Sequence, residues 1–385
     1  MGSIPALTRP LTALLTIASS VWAGCSAVPP AVCAAQARPS QISIRPNGSL
    51  AIDRRPFFPM GFYHVSWGIS SARQIRHLED IAAAGFNTVH VSANDWASHA
   101  KLLQRAHRLG VYVVSEHHLD PLEFVRRFKN EPAVLAWNLA DDVDNGKRTP
   151  LEVMALNRKI RAADPNHLTY ISGYSKDLQK FARCADILGR QSYPIRNHTT
   201  DELSKTHSEI AEIAEITATA PQQALFANLQ TFPWEVAGPP ERGTVPDTLE
   251  VRNMTYQALL GGAKGILYYT YYDEAWFLPD RPQLWQGLKA LNREVQSLSP
   301  FFLDGTFEPL TFSSKPLKGG IWTKGEKSLW AIANTSVDRS QQALVREKQG
   351  RAIAPLFGSP MVQQNAGGTV VLTLPPKAVY LYQIQ

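Results

Sequence analysis

The stretch LAWNLADD, residues 135–142, decides the fold that we predict for this chain. It is an apolar run that ends in two adjacent carboxylates, Asp141 and Asp142. Such a run is typical of a buried parallel strand, which shows little polar alternation because helices cover both of its faces. In a (β/α)8 barrel the loops after the strands build the active face, so these acids would lie where catalysis occurs. Outside a barrel the same pair would be an ordinary surface feature, and the flanking sequence has to distinguish the two cases.

One unit repeats on both sides of this stretch: an amphipathic helix, a Gly or Pro break, and an apolar strand rich in β-branched residues. Counting these units gives eight strands that alternate with helices, which is the number and span of a (β/α)8 barrel. An open doubly wound sheet is the alternative, but no strand is followed by a Gly-rich phosphate loop. The eight predicted strands lie near residues 56–64, 86–91, 111–118, 133–140, 168–172, 186–193, 224–230 and 265–273.

At both ends of this repeat the helix–strand pattern gives way to short segments of alternating polar and apolar residues. Residues 42–52 alternate around Pro46-Asn47-Gly48, which predicts a short hairpin before the barrel. After Pro300 the helical periodicity vanishes, and short alternating segments between turn residues predict an antiparallel sandwich. We therefore predict an α/β chain, with a (β/α)8 TIM barrel over residues 38–299 and a small all-β sandwich domain over residues 300–385.

Residues 1–37 have the pattern of a secretory signal peptide. Arg9 precedes an apolar run over residues 11–23, which is too short to span a bilayer, and small residues that suit a signal peptidase follow it. We therefore expect an exported protein, periplasmic or extracellular, without a stable membrane span. Lipidation at Cys25 is an alternative, although Trp22 stands where an aliphatic residue is usual. Cleavage would leave Cys184 as the only cysteine, so no intramolecular disulfide is expected.

Composition narrows the classes of partner. The chain has 385 residues, 44% of them hydrophobic, and a formal net charge of +6. No basic run with interleaved aromatic residues occurs, so a nucleic-acid partner is not expected. His64, His90, His117 and His118 raise a metal-hydrolase alternative, but the His-x-His pair that such barrels place after the first strand is missing. We predict neither a metal nor a cofactor, and the oligomeric state stays open.

Four stretches, residues 47–61, 84–89, 137–142 and 374–382, resemble exported glycoside hydrolases of the clan-A type. The TIM barrels of these enzymes often carry a C-terminal β-sandwich. The resemblance places Asp142 where the family has its acid/base Glu. It places Asp141 on the preceding Asn or Asp, which typically contacts a sugar hydroxyl.

The chain departs from the family on the seventh strand. Where retaining clan-A enzymes have a nucleophilic Glu, this sequence has Gln230, and an amide cannot attack an anomeric carbon. Glycoside hydrolysis ordinarily needs two carboxyl groups that flank the scissile bond. The second carboxylate must then come from elsewhere, and the candidates are Asp273 after the eighth strand and Asp120 after the third, with Glu116 behind it. Repulsion within the pair Asp141/Asp142 would raise one pKa, as a general acid requires.

Polar and aromatic side chains at the other strand ends are candidates for substrate binding, because flat rings stack on the C–H faces of sugars. Trp96, Tyr193 and Trp276 occupy predicted loop positions and are the preferred aromatic candidates. The full set of predicted binding residues is Asp141, Gln230, Tyr193, Trp96, Trp276, Tyr63 and His64.

Two hypotheses follow for a protein whose partner is a carbohydrate. The first is an exported glycoside hydrolase with Asp142 as the proton donor and Asp273 or Asp120 as base or nucleophile. The second is a non-hydrolytic glycan-binding protein on a degenerate TIM barrel, for which the missing strand-seven Glu is the main support.

Overall fold

The structure, a computed structural model, describes residues 38–65, 68–117, 120–220, 222–234, 245–274, 276–347, 350–363, 365 and 367–385. The predicted leader and Cys25 lie outside the described residues. The described chain begins with three short strands, β1 (Ile42–Ile44), β2 (Leu50–Ile52) and β3 (Arg55–Phe57), which pair in an antiparallel sheet. The predicted hairpin is therefore present, and β3 adds a third strand to it.

Eight parallel strands then close into a barrel, as the sequence predicts. Because helices surround the barrel, its strands are buried on both faces, and all seven residues of the fourth barrel strand are buried. The barrel strands are β4 (Met60–Phe62), β5 (Thr88–Ser92), β6 (Tyr112–Glu116), β7 (Val134–Ala140), β8 (Leu168–Gly173), β9 (Ile187–Ser192), β10 (Ala224–Gln230) and β11 (Gly265–Tyr269).

The helices begin at residues that suit helix N-termini. Thr149 and Asp247 each form a capping box with the Glu three residues later, which satisfies backbone N–H groups that have no partner within the helix. The α-helices are α1 (Ser71–Ala83), α2 (Trp96–Leu109), α3 (Pro121–Phe128), α4 (Pro150–Ala163), α5 (Thr200–Leu203), α6 (Lys205–Ala218), α7 (Thr248–Leu260) and α8 (Pro282–Asp304). Short 3-10 turns span Val143–Asn145, Lys176–Phe181 and Leu278–Asp280, and a small hairpin pairs β12 (Tyr272–Asp273) with β13 (Trp276–Phe277).

The C-terminal part is an antiparallel sandwich. Helix α8 continues through Pro300 to Asp304, so the change to strands comes after Asp304. A five-stranded sheet in the order β14-β15-β16-β20-β18 faces the two-stranded sheet β17-β19, and Trp330, Ile332 and Tyr382 are in the apolar core between them. The strands are β14 (Thr306–Leu310), β15 (Leu317–Lys324), β16 (Lys327–Asn334), β17 (Gln341–Arg346), β18 (Ile353–Leu356), β19 (Thr369–Leu374) and β20 (Val379–Ile384).

The other face of the five-stranded sheet packs on α7 and α8 of the barrel. The rings of Phe302 and Trp322 meet edge to face at 5.0 Å between centroids. The Asn253 Nδ2 donates to the carbonyl oxygens of Asn334 at 2.9 Å and Lys377 at 3.0 Å. The sandwich is thus attached to the side of the barrel through helices, which leaves the loops after the barrel strands to form the candidate site. No helix among the described residues is both long and apolar enough to cross a membrane.

Candidate active site in the barrel mouth

A cavity of about 730 Å³ opens at the carboxyl ends of the barrel strands. Its walls come from the ends of barrel strands, from the loops that follow β4, β7, β8, β9, β10 and β11, and from α5 and α6. This is the face where TIM barrels carry their active sites. The described residues that line it are Tyr63, His64, Asp141, Asp142, Tyr174, Gln191, Tyr193, Pro194, Arg196, Glu202, Lys205, Glu209, Phe232, Trp234, Tyr269 and Asp273.

Asp141 follows β7 directly and accepts several hydrogen bonds. Its Oδ1 accepts from the Tyr63 hydroxyl at 2.6 Å, from the Ser172 hydroxyl, and from the Gln191 Nε2 at 3.2 Å. Its Oδ2 lies 3.5 Å from the Nε2 of His64. Burial acts to raise the pKa of Asp141, but the hydrogen bonds from His64, Ser172 and Tyr63 outweigh burial and hold the pKa well below its usual range. Asp141 is therefore held as a carboxylate.

The pKa of Asp142 is shifted in the opposite direction, above its ordinary value. Its backbone adopts the left-handed conformation, with φ of 47°, which ends the strand and which Asp tolerates better than most residues. Its carboxylate accepts one hydrogen bond, from the Gln191 Nε2 at 2.7 Å. Burial and the neighbouring charge of Asp141 raise the pKa of Asp142 above its ordinary value. The pKa values of the two adjacent carboxyl groups are thus shifted in opposite directions. Asp141 stays ionised, while Asp142 retains its proton to higher pH.

Aromatic rings form one wall of the cavity. Tyr193 stacks on Tyr269 with 5.6 Å between centroids, and Phe232 meets Tyr269 edge to face at 5.2 Å. Trp234 is 39% exposed, donates from its Nε1 to the Tyr193 carbonyl at 3.0 Å, and carries the Arg196 guanidinium 3.9 Å above its ring. An exposed indole and a half-buried phenol at a cavity wall present apolar faces with polar edges, which suits a sugar ring.

Asp273 also lines the cavity, as the sequence predicts for a second carboxylate. It lies in the β12–β13 hairpin after β11, and its Oδ2 accepts from the Tyr269 hydroxyl at 2.6 Å. The structure thus brings Asp141, Asp142 and Asp273 to one cavity together with the predicted binding residues Tyr63, His64 and Tyr193.

Gln230 lies at the end of β10 but is not among the described residues that line the cavity, so its position does not support the predicted hydrogen bond to substrate. Its side chain is fully buried, and its Oε1 accepts from the Ile195 backbone N–H at 2.8 Å. Its Nε2 donates to the carbonyls of Ile195 at 2.8 Å and Phe232 at 3.0 Å. The amide is used completely in holding the loop after β9 against the loop after β10.

Three further predicted residues are not in the cavity wall. Asp120 is exposed and caps α3, where its Oδ1 accepts from the Glu123 N–H at 2.8 Å, so a catalytic role for it is not supported. Trp96 packs against Phe124 and Phe128 on the outside of the barrel strands. Trp276 is buried and donates from its Nε1 to the Thr270 carbonyl at 3.2 Å. These side chains stabilise the fold around the site instead of contacting a ligand in the cavity.

Two polar residues that hydrogen-bond the acid pair are missing from the sequence prediction. Gln191 bridges the acids by donating to both Asp141 and Asp142, and Ser172 donates to Asp141. Both lie in the carboxyl-terminal half of a barrel strand, in the runs YISG and LGRQS. The signal was present, because polar residues that end an otherwise apolar barrel strand point to the active face.

A second polar cluster lies next to the acids. One ring nitrogen each of His64 and His90 and a carboxylate oxygen of Glu116 lie within 4.8 Å of one another. These residues come from the ends or interiors of the adjacent strands β4, β5 and β6. Among the described residues, this is the group whose donor atoms suit a metal ion, although the sequence predicts no metal.

No protein-family model and no curated protein matches the sequence, but solved structures match most of the chain. An α-amylase from Geobacillus thermoleovorans complexed with acarbose has a TM-score of 0.61 at 9% identity, covering 85% of this chain and 98% of that chain. A glycoside hydrolase family 5 protein from Bacteroides vulgatus has a TM-score of 0.59 at 14% identity, covering 89% and 93%. A GH30 endoxylanase from Clostridium papyrosolvens has a TM-score of 0.52 at 10% identity, covering 90% and 98%. The predicted resemblance to TIM-barrel glycoside hydrolases is confirmed at the level of the fold.

Proposed function

We propose that this protein is an exported glycoside hydrolase that acts on a glycan or oligosaccharide. The observation that carries the proposal is the pair Asp141/Asp142 in the barrel-mouth cavity, two adjacent carboxyl groups whose pKa values are driven in opposite directions. Export is inferred from the signal-like pattern of residues 1–37. The glycoside hydrolases among the similar folds support the class of reaction and leave the sugar and the linkage undetermined.

Asp142 is the proposed proton donor. Its raised pKa lets it keep a proton for transfer to the glycosidic oxygen as the C–O bond breaks. Asp141 remains negative beside it and stabilises the positive charge that develops on the sugar ring in the oxocarbenium-like transition state. The Tyr193, Tyr269 and Trp234 rings form an apolar wall against which the sugar stacks.

Asp273 is the proposed second carboxylate, because it lines the same cavity and Gln230 cannot serve. In an inverting enzyme it would activate a water molecule on the opposite side of the sugar from Asp142. In a retaining enzyme it would attack the anomeric carbon itself, which requires closer carboxyl groups. The anomeric configuration of the first product, followed by NMR, distinguishes these two roles.

The test is turnover of a panel of oligosaccharides and aryl glycosides by the purified protein and by Asp142→Asn. We expect kcat to fall about 10²–10⁴-fold, which is the usual contribution of a positioned general acid. The variant should remain folded, because the Asn Oδ1 still accepts from the Gln191 Nε2. The loss should be smaller for aryl glycosides with acidic leaving groups, since these need less protonation.

Asp177→Asn is the matched control for this variant. Asp177 is an exposed acid whose side chain pairs with Lys180 and does not line the cavity, so its replacement should leave kcat unchanged. Turnover of a genuine substrate that is the same in Asp142→Asn as in the unmodified protein would refute the assignment of Asp142.

A second candidate function is glycan binding without hydrolysis. The observation that favours it is the burial of the Gln230 amide at the end of the seventh barrel strand, where a retaining enzyme would present its nucleophile to the cavity. Binding of glycans in the micromolar range by a folded protein that releases no product across the panel would support it. Any turnover that depends on Asp142 would exclude it.

A further inference from the structure

The cluster of His64, His90 and Glu116 has no part in the proposed hydrolysis beyond the contact of the His64 Nε2 with Asp141. Each residue contributes one ligand atom, and the three atoms lie within 4.8 Å of one another. His64 and His90 are 2% and 0% exposed, and Glu116 is half-buried. We propose that these three side chains form a binding site for one divalent first-row transition-metal ion of the Zn²⁺ type.

The backbone holds the three donors in place. His64 follows β4, His90 lies in the middle of β5, and Glu116 ends β6, so adjacent parallel strands deliver all three. The rings of His64 and His90 meet at 4.4 Å between centroids with an interplanar angle of 70°, which keeps both imidazoles beside each other without stacking. His64 adopts a left-handed backbone conformation with φ of 50°, an uncommon state that recurs at functional sites.

His90 supplies the second, independent observation. It is completely buried, yet its Nδ1 has no hydrogen-bond partner among the described residues. Leaving a buried polar atom without a partner is costly, so such an atom in a native core calls for an unseen ligand or water. A bound cation would accept the lone pair of this imidazole nitrogen.

The Asn138 side chain determines which nitrogen of His90 carries the proton. Its amide finds the most partners when its oxygen faces the His90 Nε2 at 3.2 Å and its NH2 faces the carbonyls of Ala140 at 3.2 Å and Tyr170 at 3.3 Å. In this orientation the His90 Nε2 carries the proton and the Nδ1 carries the lone pair. Metal-binding histidines usually donate their second N–H to a carbonyl or carboxylate in this way. Ser92 donates to the Oε2 of Glu116, and the Oε1, which lies 3.3 Å from the Asn138 amide, keeps a second lone pair for a metal ion.

The donor set identifies the class of ion. Two imidazole nitrogens and one carboxylate oxygen are the ligands of open Zn²⁺ sites, in which water or substrate completes the coordination. Mg²⁺ and Ca²⁺ prefer oxygen ligands throughout and would not be selected by two histidines. An ion can reach the site, because His64 lines the barrel-mouth cavity and Glu116 and Asn138 line a neighbouring cavity of about 480 Å³.

The experiment is equilibrium dialysis of the tag-free protein, first stripped with a chelator, against Zn²⁺ at pH 7.5, with metal and protein quantified in both chambers. We expect one tight Zn²⁺ per chain. The affinity should fall at least tenfold in Glu116→Gln, which keeps the size and the Ser92 contact but removes the charge, and also in His90→Gln. The matched control is His99→Gln, a buried histidine that contacts Ser115 outside the cluster, and it should bind as the unmodified protein does.

Co²⁺ gives a second readout that does not depend on the variants. The unmodified protein should show the d–d absorption bands of nitrogen and oxygen ligation, and Zn²⁺ should displace them stoichiometrically. The proposal is overturned if the folded protein binds no stoichiometric Zn²⁺ or Co²⁺. It is equally overturned if folded Glu116→Gln and His90→Gln bind Zn²⁺ as tightly as the unmodified protein. If both variants fail to fold, absence or presence of the Co²⁺ bands in the unmodified protein decides.

Discussion

At the end of β7, the fourth barrel strand, two carboxyl groups face the cavity, whereas at the end of β10, the seventh, an amide is buried in backbone hydrogen bonds. Asp141 and Asp142 receive donors from side chains on other strands, and both remain in contact with the cavity. The C=O and NH2 groups of the Gln230 side chain both hydrogen-bond to the backbone of the loops after β9 and β10. Equivalent positions in a barrel therefore present ionisable groups to the cavity at one strand end and hold loops together at the other.

The comparison shows what a polar residue at a barrel mouth has to satisfy before it can be catalytic. A group that acts on substrate must keep part of its hydrogen-bonding capacity for the cavity. Among the described residues, the Asp142 carboxylate has a single donor, the Gln191 Nε2. A group whose capacity is exhausted by backbone partners, as that of Gln230 is, holds loops together. The loops it holds carry Phe232 and Trp234, so the seventh strand still shapes the cavity through its aromatic wall.

The largest expected effect comes from restoring the acid of the retaining family at position 230. In Gln230→Glu a buried carboxylate oxygen would face the carbonyls of Ile195 and Phe232 in place of an NH2 group. We expect a loss of about 3–5 kcal/mol in the free energy of unfolding, the range for an uncompensated buried charge, and no gain in hydrolysis. Urea unfolding followed by fluorescence measures the loss.

Gln342→Glu, on the exposed side of β17, is the control for this substitution and should change the stability by less than about 0.5 kcal/mol. If Gln230→Glu were as stable as the unmodified protein and released a retained product, the seventh strand end would be a catalytic position that has only lost its acid.

The next effect in size concerns Asp141. In Asp141→Asn the charge that accepts from Tyr63, Ser172 and His64 is removed, and we expect a loss of roughly 1.5–3 kcal/mol at pH 7, as for hydrogen bonds to a charged group. Because the pKa of Asp141 is depressed in the folded state, its contribution is fully present above the pKa of an unfolded Asp, about 3.9. The contribution is lost progressively as the pH falls from there through the much lower pKa of the folded state. The stability difference between the two proteins should therefore be smaller at pH 3 than at pH 7, although it should not vanish at pH 3. Curves that stay equally separated at both values would contradict the depressed pKa.

The same variant tests the coupling within the pair. The charge of Asp141 helps to raise the pKa of Asp142, so its removal lowers that pKa. A general acid works only while protonated, and the alkaline limb of the rate–pH profile should therefore move to lower pH in Asp141→Asn. Asp177→Asn should leave the limb where it is. An unmoved limb in Asp141→Asn would mean that another group supplies the proton.

The sequence alone was sufficient to predict the barrel and the pair Asp141/Asp142, because both depend on local sequence pattern. Residues 134–140 are buried on both faces, so the apolar run was visible without any knowledge of its neighbours. Asp141 and Asp142 end that strand, and the direction of the strand alone places them at the active face. The sandwich was predictable for the same reason, since alternation within each strand records which side is buried.

The other site residues depended on contacts that the sequence does not encode locally. Gln230 looks like a strand-end polar residue until Ile195, thirty-five positions earlier in the chain, closes on its amide. Trp276 follows a barrel strand as a substrate-stacking ring would, but the β12–β13 hairpin turns its indole back to the Thr270 carbonyl. Asp120 is better explained by its own helix, because an Asp before Pro121 is a common N-cap. In each of the three cases the side chain hydrogen-bonds to the protein backbone instead of facing the cavity.

The smallest expected effect tests whether the seventh strand end contributes only to binding. Trp234 is 39% exposed and stacks under Arg196, so Trp234→Ala should cost little stability, while a sugar would lose one apolar face. We expect KM to rise about fivefold, or about 1 kcal/mol, with kcat unchanged, which is the signature of lost uniform binding. Trp234→Phe should recover most of the affinity, and Phe357→Ala, an exposed ring in the sandwich, should have no effect. A fall in kcat instead would show that this wall positions the reacting bond, and the division between a chemical fourth strand and an architectural seventh would no longer hold.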